Sequence, residues 1–262
     1  MTVHVSQDGA VLRLHLDKPA KRNALDDDMV TTMIDALDTS NRDESVRGVL
    51  ITAEGDHFCG GFDIVSRNAG GGARPRVGSI QRRLPSTANR LMERMLRVQI
   101  PIVCAVRGQA VGIGLHLAAA SDFTIAADDA RFWEPFSTRG FTADSAGTWL
   151  LPRLIGPVAA RRMLLLGQPL SGTEAVAAGL IHAAVPGDQV VADAEALVGE
   201  LAAGATVALG LTKWLLIAGE TLPLADHLQN EALAMELSSR TDDFREGLKA
   251  LTERRAPDFT GR

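Results

Sequence analysis

Two short apolar runs constrain this chain more than any other feature. They are VLITAEG at residues 49–55 and PIVCAVRG at residues 101–108, and each stops at a glycine. Neither run alternates apolar with polar residues, so each reads as a strand covered on both faces. Between them lies STANRLMERMLRV (86–98), whose apolar residues recur at helical spacing. Further short strands are expected at DFTIAAD (122–128) and ARFWEP (130–135). Strands joined by helices make an α/β core.

The flanking segments fit that core. VHVSQDGAVLRLHLD (3–17) alternates apolar and polar residues around an Asp-Gly turn, which reads as a β-hairpin. Met29, Met33, Ile34 and Leu37 fall on one helical face, and the acidic residues ahead of them suit a helix N-terminus. The segment Ala69–Gly78, rich in glycine and arginine, is expected to be a mobile loop. After Pro157 the signals are mostly helical, each segment edged by a cap, a glycine or a proline. The reading divides the chain into a core at residues 1–200 and a C-terminal helical region at residues 201–262.

Composition narrows the function. The net charge is −5 and there is no long basic run, which argues against nucleic acid as the main partner. The two cysteines, Cys59 and Cys104, form neither a zinc pattern nor a disulfide framework. The N-terminal alternation is unlike a signal peptide. The longest weakly polar run, Ile100–Ala120, is interrupted by Arg107, Gly108, Gln109 and His116, so no membrane span is expected. The expectation is a soluble, cytoplasmic protein with no membrane partner.

The chemistry should lie where the two strands end. GDHFCGGFDI passes through Gly60 and Gly61 before Phe62, and VRGQAVGIG passes through Gly108, Gly112 and Gly114. A helix starting near Gly112 would present free backbone N–H groups. Two such groups facing each other would hold negative charge on a carbonyl oxygen. Neither turn has the spacing of the usual nucleotide-phosphate loops.

Five segments in order resemble the enoyl-CoA hydratase/isomerase (crotonase) superfamily. They are KPAKRNAL, GDHFCGGFDI, PIVCAVRGQAVGIGLHLAAASDFTIAADDARF, the stretch from Gly147 to Pro186, and DDFREGLKALTERRAPDF. The resemblance covers nearly the whole chain. It implies a crotonase-like spiral of ββα units, a C-terminal helical trimerisation region, and a homotrimer or dimer of trimers. It also implies an acyl-CoA thioester ligand, with coenzyme A as part of the substrate, no other cofactor and no metal. Carried over position by position, the oxyanion-hole N–H groups belong to Phe62 and Ile113. The backbone near Asp63 and Ile64 should follow the CoA adenosine end, and Lys21, Arg22 or Lys18 should meet its phosphates. The 69–78 loop falls where relatives fold over the acyl chain.

The sequence also leaves the family pattern. The two glutamates that hydratases of the family use would fall at His116 and Phe136 here, and a phenyl ring cannot accept a proton. Glu134 could substitute only through a rebuilt turn. Asp144 stands where the hydratase has glycine. Ring-opening isomerases of phenylacetate degradation and some enoyl-CoA isomerases resemble this stretch and use an acid there to shuttle a proton. A chlorobenzoyl-CoA dehalogenase carries its nucleophilic aspartate there. Asp144 thus has two readings, an acid/base for an enolate or a helix N-cap. His116 is a base, a partner for Asp144, a contact for a polar acyl group, or a satisfied core residue. Trp133, Phe136 and Phe141, with Phe132, would wall an acyl pocket. The chemistry expected is isomerase-type proton transfer. Hydration or hydrolysis through His116, and acyl-CoA binding without turnover, are the alternatives.

Overall fold

The computed structural model describes residues 2–64 and 76–262. The expected loop at 69–78 lies outside them except for its last three positions. The chain opens on the hairpin of β1 (Val3–Asp8) and β2 (Val11–Leu16), closed at Gly9, whose φ of +56° favours glycine. Leu12, Leu14 and Leu16 of β2 turn inward, as alternation requires. Helix α1 (Asp27–Ser40) then crosses over, with the Asp26 carboxylate accepting the Met29 N–H at 3.0 Å as its cap.

Strands β3 (Gly48–Ala53), β4 (Ile102–Val106), β6 (Phe123–Ala127) and β9 (Ala183–Val185) extend the sheet in the order β1-β2-β3-β4-β6-β9. All neighbours after the hairpin are parallel. A second sheet pairs β5 (Gln109–Val111) in parallel with β7 (Arg131–Trp133), and β7 with antiparallel β8 (Leu170–Ser171). The sequence reading did not anticipate β5, β8 or β9. Runs of two or three residues are too short to show a period.

The helices between and after the strands are α2 (Ser79–Arg83), α3 (Ala88–Arg97), α4 (Ile113–Ala120), α5 (Gly147–Leu154), α6 (Gly156–Leu166), α7 (Gly172–Ala178) and α8 (Val190–Ala202). Three more follow: α9 (Thr206–Gly219), α10 (Leu224–Ser238) and α11 (Asp242–Glu253). Residue 200, where the sequence reading divides the chain, lies in the last turn of α8. Helix α4 is buried along its whole length, so its sequence is apolar all round apart from His116.

One partly buried ion pair ties α9 to the sheet. Lys213 Nζ donates to Asp122 Oδ2 at 2.7 Å and to the Ile100 carbonyl at 3.2 Å. The same Asp122 oxygen accepts the Ile102 N–H at 2.7 Å, at the first residue of β4. Burial pushes the Lys213 ammonium below its ordinary pKa, against the opposing pull of Asp122. Among the described residues, no single helix is long and apolar enough to cross a membrane.

Candidate active site

The two glycine turns are stitched to each other. Cys59 N–H donates to the Gln109 carbonyl at 2.9 Å, and Val111 N–H donates to the Cys59 carbonyl at 2.9 Å. Together they form a parallel bridge between Cys59 and Ala110. The approach is close enough that only glycine fits at 114, where a Cβ would lie 2.6 Å from Cys59 Cβ. Beyond the bridge, Gly61 C=O accepts the Leu25 N–H at 2.8 Å and Asp63 N–H donates to the Leu25 carbonyl at 2.7 Å. Successive N–H groups of an extended chain point to opposite sides, so the Phe62 N–H faces away from Leu25. In the second turn, Gly112 has a φ of +53° and donates its N–H to the Trp133 carbonyl at 2.9 Å. Ile113 follows as the first residue of α4, where an N–H has no acceptor within the helix.

Phe62 and Ile113 both line a cavity of about 400 Å³. Ile64, Leu84, Phe136 and Phe141 give it an apolar wall. The Phe136 and Phe141 rings meet edge to face at 5.3 Å, a favoured aromatic geometry. Asp144 lines this cavity and is the only carboxylate among the described residues that do so. A neighbouring cavity of about 650 Å³ shares Leu84, Thr142, Asp144 and Ser145, so Asp144 stands where two spaces meet.

Asp144 is not a side-chain helix cap. Helix α5 begins at Gly147 and its N-cap is Ala146, with no capping side chain. The Asp144 carbonyl accepts the Gly147 N–H at 2.9 Å, while its carboxylate Oδ1 accepts the Ser145 hydroxyl at 2.9 Å. Ser145 and Ala146 are both left-handed, with φ of +47° and +66°. Each such conformation costs a non-glycine residue on the order of 1–3 kcal/mol and persists only where surrounding structure enforces it. Ser145, now a neighbour of the carboxylate, escaped the sequence reading. Nothing in the string DSAG signals two consecutive left-handed residues.

His116 does not meet Asp144. Its Nε2 is hydrogen-bonded to Glu134 Oε1 at 2.6 Å, and both side chains are fully buried. Neither residue is among those lining the cavity. Phe136 lines it instead and stacks on the imidazole, with centroids 6.2 Å apart and planes 2° from parallel. The imidazole edge also abuts Gly147, where a Cβ would come within 2.3 Å of Nε2. The sequence reading set Glu134 aside. It lies just past β7, two residues before Phe136, and its buried carboxylate meets His116.

Trp133, expected on the pocket wall, is not among the residues that line this cavity. Its indole N–H donates to the Gly167 carbonyl at 2.8 Å, and the guanidinium groups of Arg131 and Arg139 lie 4.6 and 5.6 Å from its ring. These partners hold it away from the cavity that Phe136 and Phe141 line. Phe132 is a core residue.

The basic cluster lies next to the first turn. Lys18, Lys21, Phe62 and Asp63 line a cavity of about 370 Å³. Lys18 Nζ donates to Asp26 Oδ2 at 2.7 Å, and Lys21 Nζ to the buried Asp63 Oδ2 at 3.0 Å. Burial acts to lower the Lys18 pKa, but Asp26 and Asp63 outweigh it and hold the ammonium above its ordinary value. Arg22 reaches Gln109 Oε1 at 3.4 Å. The asparagine of KPAKRNAL explains the local shape. Asn23 is fully buried and left-handed, donates to the Glu54 and His57 carbonyls, and accepts the Lys18 N–H. No group of three or more His, Cys, Asp or Glu side chains is placed to hold a metal ion among the described residues.

A fold of this kind with paired glycine turns beside an apolar cavity defines a class, and sequence comparison places the chain within it. The model of the family described as enoyl-CoA hydratase/isomerase matches residues 6–262. The 1,2-epoxyphenylacetyl-CoA isomerase of Escherichia coli (strain K12) is 36% identical over 253 residues, spanning 96% of this chain and 95% of that protein. The 2,3-dehydroadipyl-CoA hydratase of the same strain is 30% identical, spanning 98% of each. The crystal structure of an enoyl-CoA hydratase from Bacillus anthracis superposes with a TM-score of 0.92 at 28% identity, covering all of both chains. The chain belongs to the enoyl-CoA hydratase/isomerase family, and its fold is that of the crotonase structures.

Proposed function

We propose that this member of the acyl-CoA-processing family is an isomerase-type enzyme lacking both hydratase glutamates, with Asp144 as its acid/base. The observation that carries this reading is that Asp144 is the one carboxylate on the described wall of the cavity shared by Phe62 and Ile113. Moving a double bond needs a single base, which takes a proton from one carbon and returns it to another. The thioester oxygen takes up the negative charge between the two transfers, and the Phe62 and Ile113 N–H groups stabilise it there. The Ser145 hydroxyl orients the carboxylate. Lys21 and Arg22 meet CoA phosphates, the backbone at Asp63 and Ile64 follows the nucleotide, and Phe136 and Phe141 enclose the acyl group. The name of the epoxyphenylacetyl-CoA relative agrees with isomerase chemistry. The name of the dehydroadipyl-CoA relative speaks for hydration. Burial of His116 behind Phe136 argues against hydration through that histidine.

The C-terminal helices serve oligomerisation, as a trimer or dimer of trimers, because they expose large apolar residues such as Leu216, Leu224, Met235 and Leu251.

The test is solvent deuterium exchange into the α and γ carbons of enoyl-CoA thioesters. The wild type should exchange them. Asp144→Asn should lose at least about a hundredfold of that rate while acyl-CoA binding survives. Persistent exchange in Asp144→Asn rejects the assignment, and conversion to a hydrated product by the wild type favours the hydratase reading. Tight acyl-CoA binding without exchange or turnover identifies a carrier.

A further inference from the structure

We infer that the buried His116–Glu134 pair is a positioning device that holds the Asp144 turn in its strained form. This rests on the reading of Asp144 as the acid/base. Three contacts make a continuous chain. Glu134 Oε1 fixes the imidazole through Nε2 at 2.6 Å. The same edge of the ring fills the space beside Gly147, which admits no Cβ. Gly147 N–H donates to the Asp144 carbonyl at 2.9 Å. Between these ends lie Ser145 and Ala146, two consecutive left-handed residues that need an external restraint.

The imidazole also backs the aromatic wall of the cavity. Phe136 lies stacked on it, and the tip of the Phe136 ring meets Gly112, where a Cβ would come 3.3 Å from Phe136 Cζ. Gly112 is the residue that aims Ile113. One buried pair therefore backs both the carboxylate turn and the aromatic wall. His116 Nδ1 and Glu134 Oε2 have no hydrogen-bond partner among the described residues.

Positioning and proton relay make opposite demands on Glu134. A positioning residue needs only an acceptor for the imidazole N–H, which glutamine retains. A relay needs an ionisable group. Glu134→Gln should keep kcat within about threefold of wild type. Glu134→Ala should lower kcat at least about tenfold with acyl-CoA affinity unchanged, because the acid/base is displaced and the CoA contacts are not. Adding Ala146→Gly to Glu134→Ala should restore much of the loss, since glycine adopts the left-handed conformation unaided.

A readout independent of turnover accompanies these rates. Amide hydrogen exchange of the folded protein at Gly147 should quicken about tenfold or more in Glu134→Ala and stay protected in Glu134→Gln. Where Glu134→Ala does not fold, His116→Gln takes its place, with the same expected loss of Gly147 protection. Unchanged Gly147 protection in Glu134→Ala or its substitute overturns the positioning role, as does loss of kcat in Glu134→Gln. Absence of solvent exchange into substrate by the wild type counts against the isomerase reading instead, and the Gly147 measurement still decides the positioning role.

Discussion

Gly114 and Cys59 show how little room the site leaves at the level of single residues. A methyl group at 114 would lie 2.6 Å from Cys59 Cβ and 2.7 Å from its carbonyl oxygen. Gly114→Ala should therefore cost about 1–3 kcal/mol, the usual range for overpacking, read as a lower denaturant midpoint. It should also slow turnover, since the two turns would be pushed apart. Cys59 itself is inert where it stands. Burial pushes its thiol up to about 12, against the weaker opposing effect of hydrogen bonding at Gly61. Cys104 is shifted upward by burial in the same sense. Neither thiol should react with an alkylating reagent in the native protein at neutral pH, and both should react after denaturation, as counted by mass spectrometry. That Phe62, Ile113 and Asp144 lie close together was legible in the sequence because motif position marks them, and all three line one cavity. The bond between His116 and Glu134 was not, because it joins residues eighteen apart through a turn whose path only the folded chain defines.

Elements are joined by a few charged contacts whose removal can be read directly. Lys213→Met would leave Asp122, which precedes β6 and accepts the first N–H of β4, without its cation. The expected loss is about 2–4 kcal/mol, toward the lower end for a broken buried pair because Asp122 retains some solvent contact. Replacing Asp122 by asparagine in the same chain should recover part of it. At the far end of the chain, Glu246 of α11 accepts from Arg255 Nη2 at 2.9 Å and from the Asp258 N–H at 2.9 Å. The guanidinium contacts first, and the Asp258 N–H next, hold its carboxyl down to about 2. A carboxyl whose pKa is depressed on folding stabilises above its unfolded value and loses that contribution as pH falls through the folded one. The stability difference between wild type and Glu246→Gln should thus be full above about 4.5 and close as pH approaches 2, followed by chemical denaturation. The helices after Pro157 were visible in the sequence because glycine, proline and capping residues edge each one. The short strands β5, β8 and β9 were not, since they exist only through their partners.

At the scale of the whole molecule, the C-terminal helices leave much apolar surface uncovered. Leu224 is 72% exposed and Leu251 76%, on helices whose inner faces already serve the fold. On the proposed reading these surfaces are covered by further copies of the chain. Light scattering should give a mass of three or six chains, and a Leu224→Asp, Met235→Asp double variant should shift it toward one. The α/β architecture followed from two apolar runs that each end in glycine. The second sheet did not, although it carries the turn that aims Ile113.

The bridge between Cys59 and Ala110 is made of peptide groups, so among side-chain exchanges at these positions only Cys59→Pro, which removes an N–H, would break it. A directed-evolution experiment on this scaffold should therefore behave unevenly. On the proposed reading, substitutions around Phe136, Phe141 and Asp144 would redirect which carbon gains or loses a proton, while the cradle for the thioester oxygen would pass unchanged from variant to variant. Glycines 61 and 114 are exceptions because their missing side chains let main chain meet main chain, and Gly112 is one because its φ of +53° favours glycine. Selected libraries should be diverse along the cavity wall and nearly monomorphic at those three codons.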